Sequence, residues 1–130
     1  MRTSPLLAIG AIALLGCSRI DPEKFAQVFD LAESVRTATP AELPEHRARF
    51  ERELKQLEQE RPHGSERTVM QLLRQASSQW MYADLSADAY HRSGSAEERQ
   101  VTLRQWRSCM NKGAESIGRA RRLVMESTRF

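Results

Sequence analysis

The sequence predicts an all-α fold: an antiparallel, up-and-down bundle of four helices that ends in a long helical hairpin. Three observations point there. Residues 69–90 and 103–124 each carry apolar side chains at alternating intervals of four and three, an unbroken helical seam over three heptads. Two shorter amphipathic stretches precede them. Alternating β-branched runs and Asn-Gly hairpin turns, the marks of strands, are missing from the sequence. It also has no repeat at a solenoid period and no low-complexity tract.

The first helix begins at Asp21, a good N-cap. Pro22 follows at the first helical position, where its missing N–H costs nothing, and Glu23 suits the positive helix end. Phe25, Val28, Phe29, Ala32 and Val35 make one face apolar, and the helix fades near Thr37. The second helix has two competing starts. Thr39-Pro40-Ala41-Glu42 has the form of a capping box, whereas Pro44 can itself open the helix. The favoured span is Pro44 to Glu60, with Phe50, Leu54 and Leu57 inward. The remaining faces are densely charged and suit solvent, with pairs such as Glu51 and Lys55.

Pro62-His63-Gly64 breaks the chain, and Ser65 is the expected cap of the third helix. Its seam is Val69, Leu73, Ala76, Trp80, Ala83, Ala87 and Tyr90, and Ser93-Gly94 ends it. Ser95 and Glu98 form a second capping box. The fourth helix then carries Leu103, Trp106, Met110, Gly113, Ile117, Ala120 and Val124. Two long helices with matching seams and a tight turn predict a hairpin. A hairpin alone cannot cover both seams, so the shorter helices pack on it; the alternative is a longer hairpin that dimerises through its seam. Gly113 costs about 1 kcal/mol of helix propensity relative to alanine. Close approach of another helix, or room for Trp80, would offset that. Both tryptophans fall on seams and belong to the core.

The start of the chain carries an address. Arg2 precedes an apolar run from Leu6 to Leu15, too short for a permanent span, which needs about 20 residues. A basic start with such a core has the shape of a secretory signal. Leu14-Leu15-Gly16-Cys17 then resembles a lipobox, the cleavage motif of bacterial lipoproteins, although a smaller or β-branched residue is commoner at the place of Leu15. The resemblance implies cleavage between Gly16 and Cys17, a diacylglycerol on the Cys17 sulfur and acylation of the new amino group. Two or more chains give stable attachment where one does not. Ser18 stands where an aspartate would retain an enteric lipoprotein in the inner membrane, so the resemblance implies the outer membrane, facing the periplasm.

The expected partition is a signal at 1–16, a lipidated tether at 17–20 and a bundle domain at 21–130. Removing sixteen residues from 130 leaves 114, enough for one domain. Only Arg2 among the charged residues leaves with them, which takes the formal charge from +3 to +2. That near-balance argues against a nucleic-acid binder. Cys109 would be the one remaining thiol, so no internal disulfide can form. It is buried, or it pairs with another chain.

Signs of catalysis are few. Gly113 and Gly118 do not form a phosphate-binding turn. His46, His63 and His91 lack metal-ligand spacing, and no cofactor is expected. Cys109 sits mid-helix, away from the helix N-terminus that activates a thiolate. Asp84 and Asp88 lie four apart and suit pairing with arginines across helices.

Two surfaces are candidate sites. Arg119, Arg121, Arg122 and Arg129 could complement the helix C-terminus or contact anionic headgroups or an acidic partner. Met70, Met81, Tyr82 and Leu85 lie off the main seam; left exposed, they would form an apolar groove for a partner helix. The expected function is a non-enzymatic adaptor or scaffold, anchored to the membrane through Cys17 and holding an envelope protein. The alternatives are a small-molecule-binding or catalytic bundle and a purely structural lipoprotein. The architecture is similar to helical pilotins of secretion systems, which bind a helical tail of an outer-membrane secretin. Those pilotins carry an internal disulfide that this chain cannot make.

Overall fold

A computed structural model describes residues 19–127, and the lipobox lies outside them. Four helices follow one another: α1 (Pro22–Arg36), α2 (Leu43–Gln59), α3 (Ser65–Arg92) and α4 (Ala96–Ser127). No strand occurs among the described residues. The expected all-α hairpin bundle is the fold.

Local chemistry sets the ends of these helices. Asp21 is extended, and its carboxylate accepts the Glu23 N–H at 3.0 Å, with Pro22 in the first turn of α1. At the other end the Thr37 N–H donates to the Glu33 carbonyl at 3.1 Å. The two competing starts of α2 are both used. The Thr39 hydroxyl lies 2.6 Å from Glu42 Oε1 and accepts the Glu42 N–H at 3.4 Å, so the box closes as a turn. The helix proper begins one turn later at Leu43, where Pro44 needs no N–H donor.

The break before α3 needs two left-handed residues, Arg61 (φ 55°) and Gly64 (φ 60°). Here the sequence expectation fails. Gly64 occupies the N-cap, and Ser65 is already helical, with no side-chain capping bond at this end. A cap at residue 65 would shift the helix start by one, whereas glycine adopts the sharp entry angle at little cost relative to a capping side chain. The second capping box forms at α4. The Ser95 hydroxyl accepts the Glu98 N–H at 3.1 Å, and Glu98 Oε2 accepts the Gly94 N–H at 3.3 Å.

α3 and α4 share by far the largest interface. α1 packs on α2 and α4, and α2 packs on α1 and α3, so the helices form a ring in chain order. That is the up-and-down arrangement. Lengths are unequal. α1 and α2, at 15 and 17 residues, span about 22 and 25 Å; α3 and α4, at 28 and 32, span about 42 and 48 Å. The short pair therefore covers only the base of the hairpin. At the base, Lys24 of α1 lies 3.3 Å from Glu66 and 3.7 Å from Glu60. At the upper limit of the covered part, Arg47 of α2 lies 2.8 Å from Asp84. Above Asp84 the hairpin stands alone. The seam residue Tyr90 is accordingly 38 % exposed, and Leu103 and Trp106 are only half-buried.

Trp80 is the centre of the core. It is fully buried, Phe50 meets it edge-on at 5.1 Å between ring centroids, and its indole N–H donates to the Met110 carbonyl at 3.4 Å. A Cβ on Gly113 would come within 2.2 Å of Trp80 Nε1. The glycine in the seam therefore makes room for the indole. Ala76 and Ala83, one turn either side of Trp80 and fully buried, leave space for larger residues from the facing helices. Ala38 and Leu43, in and after the α1–α2 connection, also enter the core.

Gly113→Ala is expected to destabilise the protein despite the better helix former. Overpacking costs about 1–3 kcal/mol, against about 1 kcal/mol of propensity gained. Chemical denaturation should show the Gly113→Ala loss in the wild-type background and little further loss when Gly113→Ala is added to Trp80→Leu.

Candidate functional site

Neither candidate surface survives as one contiguous site. In the apolar set, Met70 is only 6 % exposed and packs in the core, whereas Tyr82 and Leu85 are 53 % and 57 % exposed and Met81 is also open. On α3, Met70 and Met81 are eleven residues and about 16 Å apart on one face. Arg74, between them, is tied to Glu58 and, at 3.2 Å, to Glu51 of α2. The expected groove of four is thus three exposed residues on a helix ridge plus one core methionine.

The arginine set divides in the same way. Arg121 is half-buried and holds α4 to α1. Its Nη2 donates to the Phe29 carbonyl at 3.1 Å and lies 3.9 Å from Glu33, and its guanidinium carbon sits 5.5 Å from the Phe29 ring centroid. Phe29, read as a core residue, is only partly buried and serves as the platform for that cation. Arg119 and Arg122 remain exposed. They line a shallow cleft with Leu72, Leu123 and Glu126. Arg129 lies outside the described residues. Because α4 runs on to Ser127, none of the three described arginines stands in its last turn, so they do not act as dipole caps.

The remaining titratable groups serve packing between helices. Asp84 is paired across helices with Arg47, as its sequence position suggests. Arg47 Nε lies 2.8 Å from Asp84 Oδ2, and the guanidinium acts on the carboxylate through both charge and hydrogen bonding. Burial pushes the Asp84 carboxyl up; Arg47 opposes this, and Asp88 adds to it. Asp88 itself lies 3.9 Å from Arg92 on the same helix. The hydrogen bond from Arg74 holds Glu58 below the usual carboxylate range. Bonds from Arg36 and from the Thr39 hydroxyl do the same for Glu33 and Glu42.

His46 is half-buried, 3.8 Å from Glu42, while His63 and His91 are exposed. Among the described residues no three of His, Cys, Asp and Glu converge to hold a metal ion. Cys109 is half-buried against the core cluster, between exposed Arg107 and Lys112. No helix of the described residues is long and apolar enough to cross a membrane.

Sequence reasoning missed the step between the covered and the bare hairpin. Above Asp84, the half-exposed Trp106 has a buried indole N–H with no partner, and Val101 and Tyr90 are exposed. The unequal lengths of the two pairs of periodic segments were the available signal.

Arg121→Ala should lower stability by about 1 kcal/mol, the scale of a cation–π contact and one charged hydrogen bond at a partly exposed site. Arg119→Ala or Arg122→Ala should change it by less than about 0.5 kcal/mol. Urea unfolding of the three variants distinguishes them.

Acid should also destabilise the fold. Glu33, Glu42 and Glu58 have folded values below their unfolded ones. The stability they give is present above the ordinary value of about 4.3 and is lost as pH falls through the folded values. Asp84 has the opposite sign, since its cost of ionisation is relieved on acidification, and so it offsets part of the loss. Unfolding midpoints measured from pH 7 to pH 3 should fall, and less steeply in Glu58→Gln.

The chain matches no family model, no curated protein and no solved structure.

Proposed function

We propose that this chain is a lipid-anchored protein of a bacterial envelope, in the outer membrane and facing the periplasm, and that it acts as a non-enzymatic adaptor. The observation that carries this reading is Leu14-Leu15-Gly16-Cys17, which closes the apolar run from Leu6 to Leu15. Two features of the fold support it. Ile20, three residues after Cys17, is 3 % exposed and belongs to the core cluster. Three extended residues reach about 10 Å, so an acylated Cys17 would keep the base of the bundle at the bilayer surface. The hairpin tip is at the opposite end of α3, about 42 Å away. The uncovered upper hairpin, with Leu85, Tyr90 and Val101 exposed, would then be presented away from the membrane, where a protein can be held.

Crosslinked pull-down from native membranes tests the reading, with a tagged wild-type chain beside Cys17→Ala. The expected result is an acylated wild-type chain with one stoichiometric envelope protein crosslinked to it, and loss or mislocalisation of that complex in Cys17→Ala. A correctly acylated chain with no discrete crosslinked protein would overturn the adaptor role. An unacylated chain would overturn the anchor.

A further inference from the structure

The cations of the bundle are unevenly used. From Arg19 to Ser95 the chain carries eleven lysines and arginines against thirteen carboxylates. Six of those cations, Lys24, Arg36, Arg47, Arg49, Arg74 and Arg92, stand in ion pairs. α4 reverses the balance, with seven cations against four carboxylates, and of the seven only Arg121 is in an ion pair. Arg104, Arg107, Lys112, Arg119 and Arg122 are all exposed. On an ideal helix they fall within an arc of about 140°, opposite the buried seam of α4. Ser108, Asn111, Glu115 and Gly118 fill that arc between them, so five cations stand with one carboxylate and no apolar side chain. The row is about 27 Å long.

We propose that this face of α4 docks an acidic helix of a partner protein, laid along the hairpin with its carboxylates on the five cations. The inference rests on the adaptor reading and names the chemistry of the protein held. Solvation calls for charge of either sign, as on the outer face of α2, where Arg49 lies 2.6 Å from Glu45. On α4, Arg104 and Arg107 stand three apart, as do Arg119 and Arg122, a spacing at which like charges repel. Glu115, three residues from Lys112 and four from Arg119, pairs with neither. A second observation concerns Gly118. Glycine disfavours a helix interior, yet a Cβ there would meet nothing within 4 Å, so the fold itself does not ask for it. Bare backbone inside a cationic row suits the close approach of another chain. Lipid headgroups fit the row less well. With the base of the bundle at the bilayer, Arg104 is about 27 Å further out than Arg122, some three Debye lengths at physiological salt. A bilayer would engage the lower arginines and leave Arg104 and Arg107 unanswered, whereas a helix standing beside α4 reaches all five.

Carbodiimide coupling of the full chain in native membranes tests this, because it joins an amine directly to a carboxylate beside it. Lys112 is the single lysine of α4, and Lys55, exposed on α2, is the control. Lys112 should form an amide with an Asp or Glu of one envelope protein, and Lys55 should not. Arg104→Lys and Arg119→Lys should couple to other carboxylates of the same protein. Arg104→Glu with Arg122→Glu should lower the Lys112 product about tenfold, since each reversal removes an attraction and adds a repulsion. The same change of charge on α2, Arg52→Glu with Lys55→Glu, should lower it less than about twofold. Equal losses in the two double variants would overturn the proposal, as would Lys112 joined only to Glu115 of its own chain. A chain without a Lys112 product that instead sediments with phosphatidylglycerol vesicles, and is released by Arg104→Glu with Arg122→Glu, would assign the face to lipid and overturn it too. Acylation is read from the N-terminal peptide of the same sample. An unacylated chain that still couples through Lys112 overturns the anchor and leaves this face standing. A protein captured by the tag but joined through another face leaves the adaptor standing and overturns this one.

Discussion

Trp80 sits where it does because residue 113 has no side chain. The indole fills the gap between α3 and α4 at the one level where α4 offers bare backbone, and its N–H finds the Met110 carbonyl on the same stretch. Phe50 then meets the ring edge-on, so the position of α2 follows from that of Trp80. α1 is fixed last, by Phe25, Val28, Ala32 and Val35 from below and by Arg121 laid over Phe29 from the side. The hairpin is thus the template and the short helices are its cladding.

Ionic contacts reinforce that order without carrying it. Most link a short helix to the hairpin or lie within one helix, Lys24–Glu60 joins the two short helices, and most sit at partly exposed positions where an ion pair is worth up to about 1 kcal/mol. Their use is registration. Lys24 at one end and Arg47 at the other fix how far along α3 the two short helices sit. The same arrangement gathers the charges of α3 onto one flank.

Much of this was legible in the sequence, because helical spacing states which residues share a face. Asp21-Pro22, Ser95 to Glu98 and both heptad seams were read to within a residue or so, and the room that Gly113 leaves for Trp80 was one of two readings offered. What periodicity cannot state is which neighbour covers a face. Met70 and Met81 occupy equivalent positions on α3, yet only the first lies deep in the core. Arg121 has the same type and neighbourhood in sequence as Arg119 and Arg122, yet it alone meets α1. Ser65 has the chemistry of a cap, but the geometry needed at that bend favours the glycine before it. The candidate surfaces were consequently drawn too large, each joining residues that the fold assigns to core, clamp and solvent.

The stepped outline of the bundle divides its cooperativity. Trp80 itself meets Phe50 of α2 and Met110 and Gly113 of α4, so amide groups around it open only with much of the fold. Above Asp84 the hydrogen bonds of α3 and α4 are screened by a single neighbouring helix and end at the Ser93-Gly94-Ser95 turn. Local opening of that segment breaks few apolar contacts, so it is the low-free-energy end of a graded structure, and its amide protons exchange while the base stays closed.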